Sequence, residues 1–417
     1  MASQKRIAII GAGAAGISAA YFLQKKGYTH IVVFEKTDQV GGKCRSFTYH
    51  GKTYEEGAFT VTRNYEEVKK LISKLHFHLC NPPHRKIMEP GKKKLKQLHQ
   101  VFAAKFSRFL VLGAAMRYFR EIYRSRYLAK PGFAKLDPAL SQPFAKWAQE
   151  RNMGSIVPLF VLPISLFGYG DLNVIPAAYV LKYIRFWNFV AMLLIFLFGK
   201  LGTKRIVEGY GRIWEHLSHR IDIRLKSNIE KIERKETILI HFEHRDPLEF
   251  DELIIACSLH DAVKFLDLSK EETELFSKVK TYDYYVTVFK AKKLPNNCLY
   301  SIPLPEKGHA YMIYKPWKEH DLYVAYSFAE RGFSIREISR LLEDDIHALG
   351  GELTHIEETI HWEYFPHVSS EEIANGFYDK VEALQGKWHT YYTGASLSFE
   401  TVENVVKYSK ALVEKEF

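Results

Sequence analysis

The chain opens on an apolar run, Ile7–Ile10, followed by a glycine-broken turn and an Ala-rich stretch with hydrophobic positions at helical spacing. A second apolar run ends just before Glu35. Short apolar runs bounded by turn residues predict buried strands, and the stretch between them predicts a helix. From about residue 80 to 200 the pattern changes. Phe102, Phe106, Phe109, Leu112, Met116, Phe119 and Tyr123 recur at helical spacing and predict an aromatic-striped helix. Phe186–Phe198 forms a second apolar run, thirteen residues long. That falls short of the roughly 20 residues needed to span a bilayer, so it predicts a buried or tunnel-lining helix. Beyond residue 206 the pattern shortens again. Residues 221–232, 237–242, 248–257, 282–289 and 311–326 read as strands, and 400–414 as a final helix.

The first turn is where chemistry enters. It reads Gly11-x-Gly13-x-x-Gly16, between a predicted strand and a predicted helix, with Glu35 and Lys36 closing the next strand. This is the arrangement that binds a dinucleotide: the pyrophosphate rests on N–H groups at the helix start, near Ala14 and Ala15, and the acid accepts the ribose hydroxyls. Six residues later comes Val40-Gly41-Gly42-Lys43, and then Tyr54-Glu55-Glu56-Gly57-Ala58. The glycine doublet with its basic residue, and the acid-x-small segment, resemble the signatures of FAD-binding oxidoreductases, which makes FAD the expected cofactor. Further contacts are expected from the strand through Ile229, from Cys257, and from N–H groups at Gly394, Ala395 and Ser396. Neither Cys nor His lies in a flavin-linking context, so FAD is expected to be held non-covalently.

Length and composition fit this picture. With 417 residues, 47% of them hydrophobic, the chain can build a large core and two interleaved domains. The 25 Tyr and 28 Phe suit a site for something apolar. Cys44, Cys80, Cys257 and Cys298 are scattered, forming neither a metal-like pair nor a disulfide framework, and a reducing cytoplasm is their expected home. With only Met1 to Lys5 ahead of the run that opens at Arg6, no cleaved leader is expected. The net charge of +11 has a local origin: residues 85–130 carry thirteen Lys and Arg against two Glu, a surplus equal to that of the whole chain. Because these residues flank the aromatic stripe, the segment fits an anionic membrane surface or a core-packed helix with a solvated basic face, rather than nucleic acid.

In layout the chain resembles the flavin amine oxidase superfamily. Several segments are similar to the polyenoic fatty acid (linoleate) isomerases of bacteria within it: Val40 to Cys44, Phe167-Gly-Tyr-Gly170, Val174 to Tyr183, Tyr364 to Glu371, and Gly376 to Glu382. The resemblance implies an α/β fold. Residues 1–75, 205–270 and 380–417 would form a Rossmann-like FAD-binding domain, 80–204 a helical cap, and 275–375 a substrate-binding sheet domain. It also implies a polyunsaturated fatty acid as substrate. Flavin N5 would take a hydride from the methylene between two double bonds and return it elsewhere, giving a conjugated diene with no protein nucleophile. Arg85 would meet the carboxylate, Phe167 would serve as a tunnel gate or as plain core, and Tyr364, Phe365 and His367 would lie near the flavin. His367 reads as a general base or, more commonly for such a turn, a structural histidine. One departure is Ala395, where the family usually has an acid. The alternatives are an amine oxidase, a polyene desaturase, and a non-catalytic flavoprotein at a membrane. The stretch after Gly394 lacks the second aromatic of an amine cage, and a net-basic protein is a poor host for cations.

Overall fold

The computed structural model describes residues 4–88, 95–97, 108–198, 203–301, 304–329 and 332–417. Its cofactor half is built on a five-stranded parallel sheet. In spatial order the strands are Thr390–Tyr392, Glu252–Ile255, Ile7–Ile10, Ile31–Phe34 and Asp222–Arg224. The central strands are buried on both faces, which is why they read as continuous apolar runs instead of alternating ones. On one face helix Ala14–Lys25 packs against the long C-terminal helix Val402–Glu416. On the other, an antiparallel sheet of Ile229–Arg234, Ile238–Phe242 and Arg245–Phe250 brings Phe242 and Phe250 onto Phe34, with ring centroids 5.1 and 5.7 Å apart.

Three of the expected strand stretches divide, and 311–326 becomes two antiparallel strands, Ala310–Tyr314 and Leu322–Ala329. Residues 221–232 split at Lys226 and Ser227, whose amides bond the carbonyls of Thr37 and Glu35; the first part stays in the parallel sheet and the second leaves it. Residues 248–257 split at Asp251 in the same way.

The second half is a seven-stranded sheet ordered Glu352–His367, Lys280–Lys292, Leu322–Ala329, Ala310–Tyr314, Cys298–Ser301, Arg85–Met88 and Lys96–Gln97. Here the helical reading of 80–204 needs correction at its start. Arg85–Met88 is a strand, running parallel to Cys298–Ser301 with Arg85 opposite Cys298. Four residues in a basic stretch carry no periodic signal, and the pairing is set by a partner more than 200 positions away. Lys96–Gln97 is a further short strand, and from Arg108 to Phe198 the region is helical, with Arg108–Arg124, Phe144–Glu150, Ala177–Tyr183 and Phe186–Phe198 linked by turns and shorter helical segments such as Gly154–Phe160. Phe102 and Phe106 of the aromatic stripe lie outside the described residues.

One buried carboxylate fastens the cofactor half. Glu403, near the start of the C-terminal helix, accepts the backbone N–H groups of Glu66, Glu67 and Val68 at 2.7, 3.0 and 3.0 Å. It thereby caps helix Glu67–Lys74 from a distant part of the chain, placing negative charge at the positive helix end. Glu403→Ala leaves these donors without their acceptor and is expected to cost about 1–3 kcal/mol. The check is the midpoint of urea unfolding, and an unchanged midpoint would refute the capping role.

Candidate FAD and substrate site

A cavity of about 720 Å³ opens where the two sheets meet. Its nucleotide end is made of backbone. Gly13 and Gly41 form a parallel bridge, and the Gly41 N–H bonds the Ala12 carbonyl at 2.9 Å. Two close approaches explain why larger residues are shut out. A Cβ on Gly16 would lie 1.9 Å from the Gly11 carbonyl oxygen, and one on Gly57 would lie 2.1 Å from that of Lys43. Gly16 therefore serves by letting the helix meet the strand, and it does not line the cavity. At the end of its strand Glu35 is fixed before any ligand arrives. It accepts Ala12 N–H at 2.8 Å on one oxygen, and Thr37 N–H and Oγ1 at 3.0 and 2.9 Å on the other.

Of the residues expected from sequence, Gly11, Gly13, Ala14, Ala15, Glu35, Lys36, Gly42, Lys43, Gly57, Ala58, Cys257, Gly394 and Ala395 line this cavity, as do Phe167 and Tyr364. Ile229 and Ser396 do not. Ile229 falls beyond the turn that bonds Glu35, and the buried Ser396 hydroxyl accepts the Leu259 N–H instead. Phe365 and His367 stand behind Tyr364. His367 stacks on Tyr282 at 4.5 Å and binds the Phe365 carbonyl through Nδ1 at 2.7 Å. Burial holds it below the usual imidazole range, and it packs against Tyr282 and Phe365 behind the residues that line the cavity. Cys44 and Cys257 line the cavity with thiols that burial pushes up to about 12, so neither is a thiolate at neutral pH. Among the described residues no cluster could hold a metal ion.

The inner end of the cavity is aromatic. Tyr364 stacks on Tyr284 at 4.8 Å and on Tyr169 at 5.7 Å, while Phe59 meets Phe167 at 6.0 Å and Tyr326 at 5.3 Å. Lys43 lies 5.7 Å over the Tyr364 ring and pairs with Glu400 at 2.5 Å. Glu400 also accepts the Phe365 N–H, and its carbonyl takes the Tyr169 hydroxyl at 3.0 Å.

Past Phe167 and Tyr183, which line both spaces, a narrow apolar slot of about 70 Å³ continues along helix Phe186–Phe198. Leu159, Leu162, Met192, Ile195 and Phe196 are among its walls, and Arg85 lies on it. Arg85 is only 7% exposed, bonds Thr203 Oγ1 at 2.9 Å and sits 5.5 Å from the Tyr300 ring centroid. Among the described residues no carboxylate pairs with it, and its buried Nε has no partner. Arg85 and Phe167 thus line one apolar slot, and Arg85 is buried there instead of standing at an open mouth.

Glu400, Tyr169, Tyr183 and the Thr60–Thr62 segment were not singled out from sequence as site residues. Tyr169 and Tyr183 fall inside segments similar to the isomerases, which was the one signal available for them; Glu400 and the threonines had none.

Residues 14–292 match the family described as flavin containing amine oxidoreductase. The chain belongs to that family. Its fold is the family's α/β fold, and its cofactor is FAD, which the glycine cradle and the fixed Glu35 fit. The solved structure of a CLA-producing fatty acid isomerase from P. acnes superposes with a TM-score of 0.90 at 28% identity over 99% of both chains. An FAD-dependent oxidoreductase, oblC, from Cochliobolus heterostrophus is 26% identical over 98% of this chain and 90% of its own. A polyenoic fatty acid isomerase from Ptilota filicina is 32% identical over 74 residues, 18% of this chain and 15% of its own.

Two outcomes test the site. Glu35→Ala removes the ribose acceptor and is expected to weaken FAD binding about tenfold, a loss of the order of one charged hydrogen bond. Fluorescence titration of the apoprotein with FAD measures it, and unchanged affinity would remove Glu35 from the site.

The second concerns pH. Burial pushes the Glu55 carboxyl from its ordinary 4.5 up to about 8, against bonds from Ser46 Oγ and the Tyr210 N–H. The folded chain then keeps a proton that the unfolded chain releases. Stability contributed by this group is full below pH 4.5 and falls as pH rises to about 8. Glu55→Gln is expected to flatten that slope in urea unfolding measured across the range, leaving the part due to Glu56, pushed up to about 7. A slope unaltered by Glu55→Gln would show that the group ionises freely in the fold.

Proposed function

We propose that this flavoenzyme acts on an unsaturated fatty acid and shifts a double bond to give a conjugated diene, with no net oxidation. The observation that carries the reading is the apolar slot with buried Arg85 on its wall. A buried guanidinium without a carboxylate is costly unless an anion meets it, and its planar fork suits a carboxylate. The apolar walls leading to it suit an acyl chain, and the likeness to the P. acnes fatty acid isomerase along the full chain supports the same substrate class. Among the described residues neither Asp nor Glu lines the slot, which disfavours an amine. Relatives such as oblC are oxidoreductases, so desaturation is the second reading.

Bound FAD supplies a site that accepts a hydride and can return it. The protein's part is binding and exclusion. Arg85 fixes the carboxylate end and so sets which carbon reaches the flavin end of the cavity. Phe167 and Tyr183 separate the two spaces, and the wall of Tyr284, Tyr326 and Tyr364 keeps water from the reacting carbons. These tyrosines stay protonated: burial raises Tyr183 to about 12 and the other three further.

The test is anaerobic incubation of the holoenzyme with linoleate, followed by conjugated-diene absorbance. Diene formation with flavin that ends oxidised is expected, and lasting flavin reduction would favour desaturation. Arg85→Ala is expected to raise KM by about 30-fold or more, from the cost of an unpaired buried charge. An unchanged KM would detach Arg85 from the substrate.

A further inference from the structure

Helix Arg108–Arg124 has two apolar faces, and only one is covered. Val111, Ala115, Tyr118 and Ile122 are buried. On the outside, Phe109 is 87% exposed, Met116 70%, Tyr123 69%, and Leu112 is also exposed. At ~100° per residue these four fall within roughly 60° around the axis, and Arg117, Arg120 and Arg124 occupy the roughly 60° beside them. Of the aromatic stripe expected from sequence, only Phe119 is partly inside, against Phe186 and Phe189 at 5.2 and 5.0 Å. The described remainder looks outward.

The surface continues onto helix Phe186–Phe198, whose inner side lines the slot. Phe186 and Trp187 are exposed at its start, and the Arg63 guanidinium lies 3.9 Å over the Trp187 ring. Trp187 and Arg63 also line the slot itself. From Arg63 an open groove runs past Lys69, Lys70 and Lys74.

We propose that this face, from Phe109 to Trp187, docks on an anionic phospholipid bilayer. An apolar stripe flanked on one side by arginines is the pattern of a helix lying in a membrane interface, its aromatic and aliphatic groups among the acyl chains and its cations at the phosphates. The charge selects this occupant over a second copy of the chain. Arg120, Arg124 and Arg151 all converge on one carboxylate, Glu121, at 3.7, 3.0 and 3.9 Å, so the stripe stays net positive, and a two-fold contact through it would set like charges together. The groove at Arg63 extends the same sign to the slot. Among the described residues no single helix is long and apolar enough to cross a membrane, and the one pair that is so in sum, Ala177–Tyr183 with Phe186–Leu197, is bent by 85°. Docking in this orientation would open the slot towards the layer that holds acyl chains. The orientation rests on the fatty acid reading, but the binding does not.

Vesicle co-sedimentation of the holoenzyme tests it, using phosphatidylcholine alone and phosphatidylcholine mixed with phosphatidylglycerol. Binding to the mixed vesicles is expected, and salt should release it. Phe109→Glu with Met116→Glu, both on exposed positions, is expected to lower partitioning by at least about tenfold while bound flavin is unchanged. Arg120→Ser with Arg124→Ser should weaken binding to anionic vesicles selectively. The proposal is overturned if the wild-type protein does not bind mixed vesicles, or if the Phe109/Met116 variant binds as well as wild type. It is equally overturned if the face instead drives a concentration-dependent dimer in size-exclusion chromatography. Because no turnover is measured, failure here leaves the diene experiment untouched.

Discussion

The ion pair between Lys43 and Glu400 is the point on which the site hangs. Its two residues are 357 positions apart, and Glu400 binds in three directions at once. One carboxylate oxygen holds Lys43 beside the glycine doublet, the other holds the Phe365 amide at the end of the long strand Glu352–His367, and the Glu400 carbonyl holds Tyr169 in the helical region. The glycine-rich segment, the seven-stranded sheet and the helical region therefore meet through one residue. Because the carboxylate is largely buried, its bonds are little weakened by water. Tyr364, stacked between Tyr169 and Tyr284 and lying under Lys43, takes its position from the same anchor.

Around that anchor the cavity divides its work by chemistry. The nucleotide end is backbone and one fixed carboxylate. The inner end is aromatic, and the slot beyond it is mainly apolar, with Arg63 and buried Arg85 on its walls. Its buried tyrosines are held protonated, and His367 is committed to a carbonyl and two rings. Such a site is poor in acid–base groups and rich in surfaces that orient an apolar molecule, which matches a reaction in which FAD carries the chemistry.

How much of this could be read from the sequence follows from the range over which each cause acts. The glycine segments were legible because backbone pressed on backbone admits hydrogen alone, as Gly16 and Gly57 show, and such constraints write themselves into residue identity. Glu35 was legible because its spacing from the turn is set by one helix. Glu400 was not, since nothing near it in sequence announces Lys43. The strand Arg85–Met88 was misread as helical because its identity comes from Cys298–Ser301 and from no pattern of its own. Ile229 and Ser396 do not line the cavity, because the first follows the turn whose amides bond Thr37 and Glu35 and the second turns its hydroxyl to the Leu259 amide. The aromatic stripe marks an intermediate case. Periodicity announced that the helix at 108–124 has a face, but which way the face looks depends on where Tyr118 and Ile122 find their partners.

The parallel sheet has one further implication, for the order of assembly. Its outermost strand on one side is Thr390–Tyr392, and the carboxylate that closes helix Glu67–Lys74 belongs to Glu403. The glycine-rich turn is made well before the segments that turn it into a cavity. Until Glu252–Ile255 is made and pairs with it, the core strand Ile7–Ile10 stands unprotected on one flank of an open, half-built sheet. The site is finished only when Thr390–Tyr392 and Glu403 have joined, so flavin loading has to follow the meeting of segments as far apart as the 337 positions between Glu66 and Glu403.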